Sequence, residues 1–404
     1  MDKVKILWIS LNAPTVRSGK AGGNTFNYYF RKFVEDGRFS VKVIAQINDK
    51  MPLMDIPEEN CFFLKREQQF ISKLKRLSSI ESKYNLWNRN ANLLSNQMEA
   101  FVKNTIVQLK GEGFFPDAVI LEWTQCVVLA NLIRKLLPKT YIIASEHDVT
   151  FVAYERKADY FRGVKKILWS WKFNWEKKVE INALQHCDYI LTHNRDYIDL
   201  LIENGIAKDR IGWLTPYFHS MNYIQRENVN TDILYFGAMD RPENYLSAIW
   251  FIENVMPRIG DLSVRFIIIG SNPSKLLKDY KNDKIVITGF VESIDSYFRE
   301  GMCLCAPLVL GAGIKVKVLE ALSSGIPVLT NAIGIEGIPA KKNIEYFYCD
   351  TPNEYEQAIR RIYNKEISAI NIEHAAKQFI DSEFSITESL EAYKQLILTR
   401  RGTK

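Results

Sequence analysis

The stretch MCLCAPLVLGAGIKVKVLEALSSGIPVLT, residues 302–330, decides how the chain is read. Met302 to Pro307 is a short apolar run, the pattern of a buried strand. Gly311-Ala312-Gly313 follow, where bare backbone can approach a ligand. Ile314 to Ser324 reads as a helix with Val318, Leu319 and Leu322 able to face a core, and Gly325 is a natural helix stop. Ile326 to Thr330 is the next strand, with Pro327 near its start, where proline is tolerated. Strand, glycine loop, helix, glycine, strand is the format of one parallel crossover unit.

Chemistry follows from that order. A helix N-terminus presents free N–H groups and the positive end of its dipole. Lys315 and Lys317 add cations in the first turn, where the dipole favours acids. An anion held between the loop and the lysines resolves the conflict. Glu320 lies near Lys317 on the helix and can accept from sugar hydroxyls close by. The same residues also fit a tight loop with two solvated lysines and a Lys317–Glu320 surface pair, and spacing alone leaves both readings open. The loop matches neither a P-loop nor the GxGxxG dinucleotide fingerprint.

Outside this block, 404 residues suit two domains better than one core. A hydrophobic content of 47% with 25% charge excludes a disordered chain. The net charge of +6 permits contact with anionic substrates or a membrane surface, and does not itself argue for nucleic acid. The six cysteines are scattered without a CxxC pair, which predicts buried thiols in a reducing compartment. The opening run MDKVKILWIS is too brief for a signal peptide, and no apolar stretch reaches the ~20 residues of a spanning helix. A cytoplasmic protein is expected. No internal repeat is present.

In the first half, VKILWIS (4–10) predicts a strand, followed by a loop over 11–23 and a helix from about 24 to 35, capped by Asn24 or Thr25. Gly22-Gly23 just before that helix could admit an anion or a sugar; alone, they read as a flexible turn. Strands are predicted at 41–46, 116–122 and 141–145, an irregular segment at 50–70, and a long helix-prone segment at 69–109. Glu122-Trp123-Thr124 and Glu146-His147-Asp148 fall at strand ends, on the side where open sheets bind ligands. A lone histidine is ordinarily a surface or hydrogen-bonded core residue. His147 stands beside two acids, and Asp148 could orient its ring. His193, after the strand in DYILTHN, reads as structural. Residues 156–180 are basic and aromatic, with Trp169, Trp171, Phe173 and Trp175 among Lys165, Lys166 and Lys172. An amphipathic helix packing its aromatics on the first domain is the preferred reading. A monotopic membrane contact is the functional alternative, and single-strand nucleic-acid stacking a weaker one. Residues 216–230 read as an interdomain linker.

Residues 231–338 resemble the C-terminal half of glycosyltransferase family 4, the retaining GT-B transferases also called group 1. The matching pieces are YFGAMDRPEN (235–244), FIIIGSNP (266–273), VITGFVESI (286–294), GAGIKVKVLEALSSGIPVLT (311–330) and GIEGI (334–338), in the family's order. The resemblance implies a GT-B α/β fold, two doubly wound Rossmann-like domains facing a cleft. The corresponding bounds are 1–217 for an acceptor-side domain, 218–231 for a linker, 232–385 for a nucleotide-sugar domain, and 386–404 for a helix returning to the first domain. It implies transfer of a sugar from a nucleotide-diphosphate-sugar, with retention, to a glycan, lipid-linked or other hydroxyl acceptor in bacterial surface polysaccharide synthesis. No metal or cofactor is expected, and no nucleic-acid partner. Peripheral contact with the inner face of the plasma membrane through 156–180 is a candidate. Lys315 and Lys317 are implied to stabilise the leaving diphosphate, with His147 a hydrogen-bond donor at the donor sugar. Gly22, Gly23, Gly237, Arg241, Phe290, Val291, Gly311, Ala312, Gly313, Ile314 and Glu320 are the implied donor-binding positions. Two positions depart from the family pattern. Ala238 directly follows the strand-end glycine, where basic residues often stand, leaving only Arg241 nearby. Ala312 replaces the first glutamate of a pair whose second member Glu320 matches. A nucleotide-sugar epimerase and a non-catalytic binding partner of another transferase are the alternatives.

Overall fold

The computed structural model describes residues 2–16, 21–47, 53–65, 93–366 and 369–400. The chain divides into two compact units, one of residues 1–217 with 386–404, the other of residues 218–385. In the first, seven parallel strands are ordered β3-β2-β1-β4-β5-β6-β7: β1 (Val4–Ile9), β2 (Phe39–Ile47), β3 (Cys61–Lys65), β4 (Ala118–Glu122), β5 (Tyr141–Glu146), β6 (Tyr189–Thr192) and β7 (Ile211–Trp213). In the second, six parallel strands are ordered β10-β9-β8-β11-β12-β13: β8 (Asp232–Phe236), β9 (Arg265–Ile269), β10 (Ile285–Gly289), β11 (Cys303–Ala306), β12 (Val328–Thr330) and β13 (Phe347–Tyr348). Each unit is a doubly wound α/β sheet, as expected. In each, the order reverses beside the first strand, between β1 and β4 and between β8 and β11. Ligands in such sheets bind outside the carboxyl ends of the strands at that reversal.

Buried strands explain the apolar runs. All four residues of β11 are buried, and helix Val316–Ser324 buries Val318, Leu319 and Leu322. That helix starts two residues later than its spacing predicts, so Lys315 is its N-cap residue and only Lys317 lies in its first turn. Gly325 closes it with φ 79°. In the first unit, Trp8 packs edge-on against Phe26, Phe30, Phe33 and Tyr393, with ring centroids 5.4–6.3 Å apart. Tyr393 and its neighbours Leu390 and Ile397 belong to the C-terminal helix Ile386–Arg400, which shares this core.

Three segments differ in detail from expectation. The helix-prone stretch 69–109 lies largely outside the described residues; Asn96–Gly111 is helical, with Ser95 accepting from the Met98 N–H as its cap. The basic aromatic segment forms parts of two helices, Thr150–Tyr160 and Val164–Gln185, because Gly163 at φ 60° breaks the run. The polar stretch read as a linker is tied to the second unit. There Met221 and Ile224 are buried, the Met221 N–H donates to Ser323 Oγ, and Arg226 donates to the carbonyls of Phe298 and Gly301.

Candidate functional site

In the second unit, Gly237 directly follows β8. A methyl group there would lie 2.8 Å from Asn244 Nδ2 and 3.1 Å from Lys317 Nζ, so only glycine fits. A side chain on Gly270 would collide with the Gly237 carbonyl. Both glycines therefore let backbone pass through a crowded spot at the carboxyl ends of β8 and β9. Lys317 Nζ donates to Asn244 Oδ1 at 2.7 Å and sits 4.6 Å above the Tyr235 ring. Burial, and then the charges of Arg241 and Lys315, push its ammonium down to about 7. A half-buried lysine among other cations is an electrostatic liability that an anion would relieve.

Lys315 donates to the Gly313 carbonyl of its own loop and lies 3.3 Å from Glu336 Oε2. The pair of solvated lysines allowed by spacing is thus not what the fold builds: Lys317 points to Asn244 and Tyr235, Lys315 to Glu336. Gly311 (φ 124°) and Gly313 (φ 74°) hold the loop in conformations that other residues rarely adopt. A methyl on Gly311 would sit in ordinary contact with Lys315 and Glu243. Arg241 lies 3.6 Å from Glu243, with most of its side chain exposed. Glu320 accepts from the His219 N–H at 3.4 Å, and burial pushes its carboxyl up to about 7 against that bond and Lys317. At the end of β10, Gly289 has φ 76°, Phe290 is 76% exposed and Val291 is partly exposed. Ala312 and Ile314 are partly exposed in the glycine loop. Sequence reasoning missed Asn244, Tyr235 and Glu336, although all three fall inside the quoted family blocks.

The first unit builds a second constellation at the β1–β4 reversal. Glu122, at the end of β4, is buried and accepts from Trp8 Nε1 at 2.7 Å and Ser145 Oγ at 3.0 Å. Its Oε1 is 2.5 Å from His147 Nε2. The carboxylate bonded to His147 Nε2 is therefore Glu122, a partner the sequence reading did not name for it. Trp123 stacks on His147 at 4.9 Å, and its backbone is held at φ 64°, a costly conformation for a bulky residue. Gly22 lies against the other edge: a methyl there would be 3.1 Å from Trp123 Nε1 and 3.2 Å from His147 Nδ1. Gly22 and Gly23 belong to helix Ala21–Val34, which begins before them.

His193, read as structural, stands in the same cluster, its ring centroid 4.4 Å from that of His147. Its Nδ1 donates to the Leu214 carbonyl at 2.9 Å, leaving a buried Nε2 without a hydrogen-bond partner. Burial, then His147, holds this imidazole well below its usual range. Glu122, His147 and His193 offer one ligand atom each within 4.8 Å of one another, a set that could hold a metal ion. Beneath them, Thr124 Oγ1 lies 2.6 Å from Glu146 Oε2 and 3.2 Å from Glu180 Oε1. Glu180 also accepts from the Thr150 and Phe151 N–H groups that open helix Thr150–Tyr160.

Residues 230–365 match the family model described as glycosyl transferases group 1. An uncharacterized 44.6 kDa protein in the cps region of Klebsiella pneumoniae is 23% identical over 133 residues, 30% of this chain and 34% of that relative's length. The match thus spans about a third of the relative. Among solved structures, Alr3699/HepE of Anabaena in complex with UDP superposes with a TM-score of 0.66 at 12% identity, over 98% of this chain and 100% of its own. Sucrose-phosphate synthase of Thermosynechococcus elongatus gives 0.69 at 13% identity, over 100% of both chains. The fold is that of the GT-B glycosyltransferases, and the second unit carries the group 1 signature.

Proposed function

We propose that this protein is a retaining glycosyltransferase that moves a sugar from a nucleotide-diphosphate-sugar to a hydroxyl of a glycan or lipid-linked acceptor in bacterial surface polysaccharide synthesis. The observation that carries the reading is Lys317, half-buried and repelled by the charges of Arg241 and Lys315, at a helix N-terminus where Gly237 leaves no room for a side chain. A diphosphate is an anion whose charge answers that arrangement. The group 1 match over the same residues supports it, as does the UDP held by the Anabaena protein of like fold. The cps-region relative supports the polysaccharide setting.

In this reading the loop amides of Gly311–Ile314, with Lys315 and Lys317, stabilise the charge that grows on the leaving diphosphate. Gly237 and Arg241 line the phosphates, Gly289-Phe290-Val291 meets the base and Glu320 takes the ribose hydroxyls. His147, fixed by Glu122, offers a ring nitrogen to the transferred sugar beside Gly22 and Gly23. The departing phosphate takes the acceptor proton, and no protein nucleophile is assigned. Side-chain cations carry the charge, so no metal or cofactor enters the proposal. The setting is the cytoplasm, at the inner face of the membrane.

A panel of nucleotide-sugars incubated with and without acceptor sugars tests this reading. Release of nucleoside diphosphate that requires acceptor supports transfer; an altered sugar without acceptor means an epimerase. Binding without turnover, the outcome to which Ala238 and Ala312 would point, means a partner protein. Lys315→Ala and Lys317→Ala should each cut kcat/KM by about 100-fold or more while leaving the fold intact. Near-normal transfer in both variants would refute the phosphate role.

A further inference from the structure

The hairpin of helices Thr150–Tyr160 and Val164–Gln185 has two unlike faces. On the inner face, Trp169 stacks on Tyr154 at 5.5 Å, Phe173 meets Phe151 at 6.2 Å, and Lys172 lies over the Tyr154 ring. The C-terminal part of the long helix buries Glu176, Glu180, Ala183 and Leu184. The opposite face of its N-terminal half carries exposed apolar side chains, with Trp171 edge-on to Trp175 at 5.0 Å. Val164 is 72% exposed, Ile167 68% and Trp171 41%, at i, i+3 and i+7, and Tyr160 beside the turn is 43% exposed. Four of the fourteen large hydrophobic residues exposed among the described ones therefore fall within 160–171. Single exposed apolar residues are ordinary; a clustered stripe opposite a packed face marks an interaction surface.

Charge identifies the partner. From Tyr160 to Trp175 the chain has no acid, while Arg162, Lys165 and Lys166 are exposed around the stripe. Val164 and Ile167 offer no face for a base to stack on, and exposed cations without a neighbouring acid in this run do not match a protein interface of balanced charge. They suit an anionic bilayer, which accepts apolar side chains to headgroup depth and attracts the lysines. No helix among the described residues is long and apolar enough to cross a membrane, so the contact is with its surface. We propose that Tyr160, Val164, Ile167 and Trp171, with Arg162, Lys165 and Lys166, form a docking tip for an anionic lipid surface. The purpose of the tip, meeting a lipid-borne acceptor, rests on the transferase reading; the surface itself does not.

Flotation of the full chain with vesicles of phosphatidylcholine, alone or mixed with phosphatidylglycerol, tests the proposal. Binding is expected only to the anionic vesicles and should weaken with salt. Ile167→Glu with Trp171→Ser, and separately Lys165→Glu with Lys166→Glu, should each lower vesicle partitioning by about tenfold or more. All four residues have exposed or partly exposed side chains, so both variants should keep the wild-type melting temperature. Equal binding to neutral vesicles, no binding at low salt, or loss in only one of the two variants overturns it. So does binding to a single-stranded oligonucleotide without binding to vesicles. Vesicle binding without nucleotide release would sink the transferase reading and leave the tip standing; transfer without vesicle binding would do the reverse.

Discussion

Lys317 joins the physical state of one side chain to the proposed chemistry. Its ammonium is pushed down to about 7, chiefly by burial, so in the free protein it loses its proton near neutrality. Only the charged form attracts a diphosphate, and a bound diphosphate pulls the proton affinity back up. Donor binding should therefore take up a proton, and affinity should fall as pH rises through 7, by at most about tenfold per unit. Calorimetry with UDP or another nucleoside diphosphate at pH 6.5 and 8.5, in buffers of different ionisation heat, measures both effects. Lys317→Met should bind weakly at each pH with little proton uptake. A wild-type affinity that does not change over this range would remove Lys317 from the phosphate site.

Among elements, helix Val164–Gln185 is tied to the ends of β4 and β5 by buried carboxyl groups. Burial pushes Glu180 up to about 8 against the hydrogen bonds it accepts from Thr150, Phe151 and Thr124, and burial, then the charge of Glu180, raises Glu146 strongly. The folded state then holds a proton that the unfolded chain, with an ordinary carboxyl near 4.5, releases. This stabilisation is complete below about pH 4.5 and is lost as pH rises towards 8, at up to about 1.4 kcal/mol per unit. Glu180→Gln should flatten that part of the urea-midpoint profile; an unchanged slope would mean that the carboxyl ionises without cost. None of this is legible in sequence, where Glu176 and Glu180 look like the polar face of a basic amphipathic helix. The parallel crossover at 302–330 is legible, because burial on both sides of β11 and a glycine stop leave a local mark. The partners of Lys317 are not: Asn244 and Tyr235 lie 73 and 82 residues away, and only the fold brings them in. Glu122 was quoted as a strand-end residue, but its bond to His147 depends on β4 and β5 being neighbours. His193 joined the cluster for the same reason, since β6 follows β5 in the sheet.

For the whole molecule, the two sheets repeat one plan, and each gathers its candidate residues where the strand order reverses. The first unit is closed by the end of the chain. Tyr393 is fully enclosed by Trp8, Tyr29 and Phe33, and Lys394 lies 2.9 Å from Asp36. Arg38 first, and then Lys394, hold the Asp36 carboxyl well below its usual range against the opposing effect of burial, so the contribution of these ion pairs is present above about pH 3.8 and fades on acidification. Helix Ile386–Arg400 therefore completes the core around Trp8, although the whole second unit separates it from that core in sequence. Tyr393→Ala removes a ring whose hydroxyl makes no hydrogen bond, so its cost is a cavity, about 3–5 kcal/mol. The loss should fall on the first unit. Urea unfolding followed by tryptophan fluorescence should show an earlier transition, while calorimetric binding of nucleoside diphosphate, assigned to residues 232–385, should keep its affinity below that transition. Equal loss of both would show that the units do not unfold separately; no loss of stability would show that the helix adds nothing to the Trp8 core.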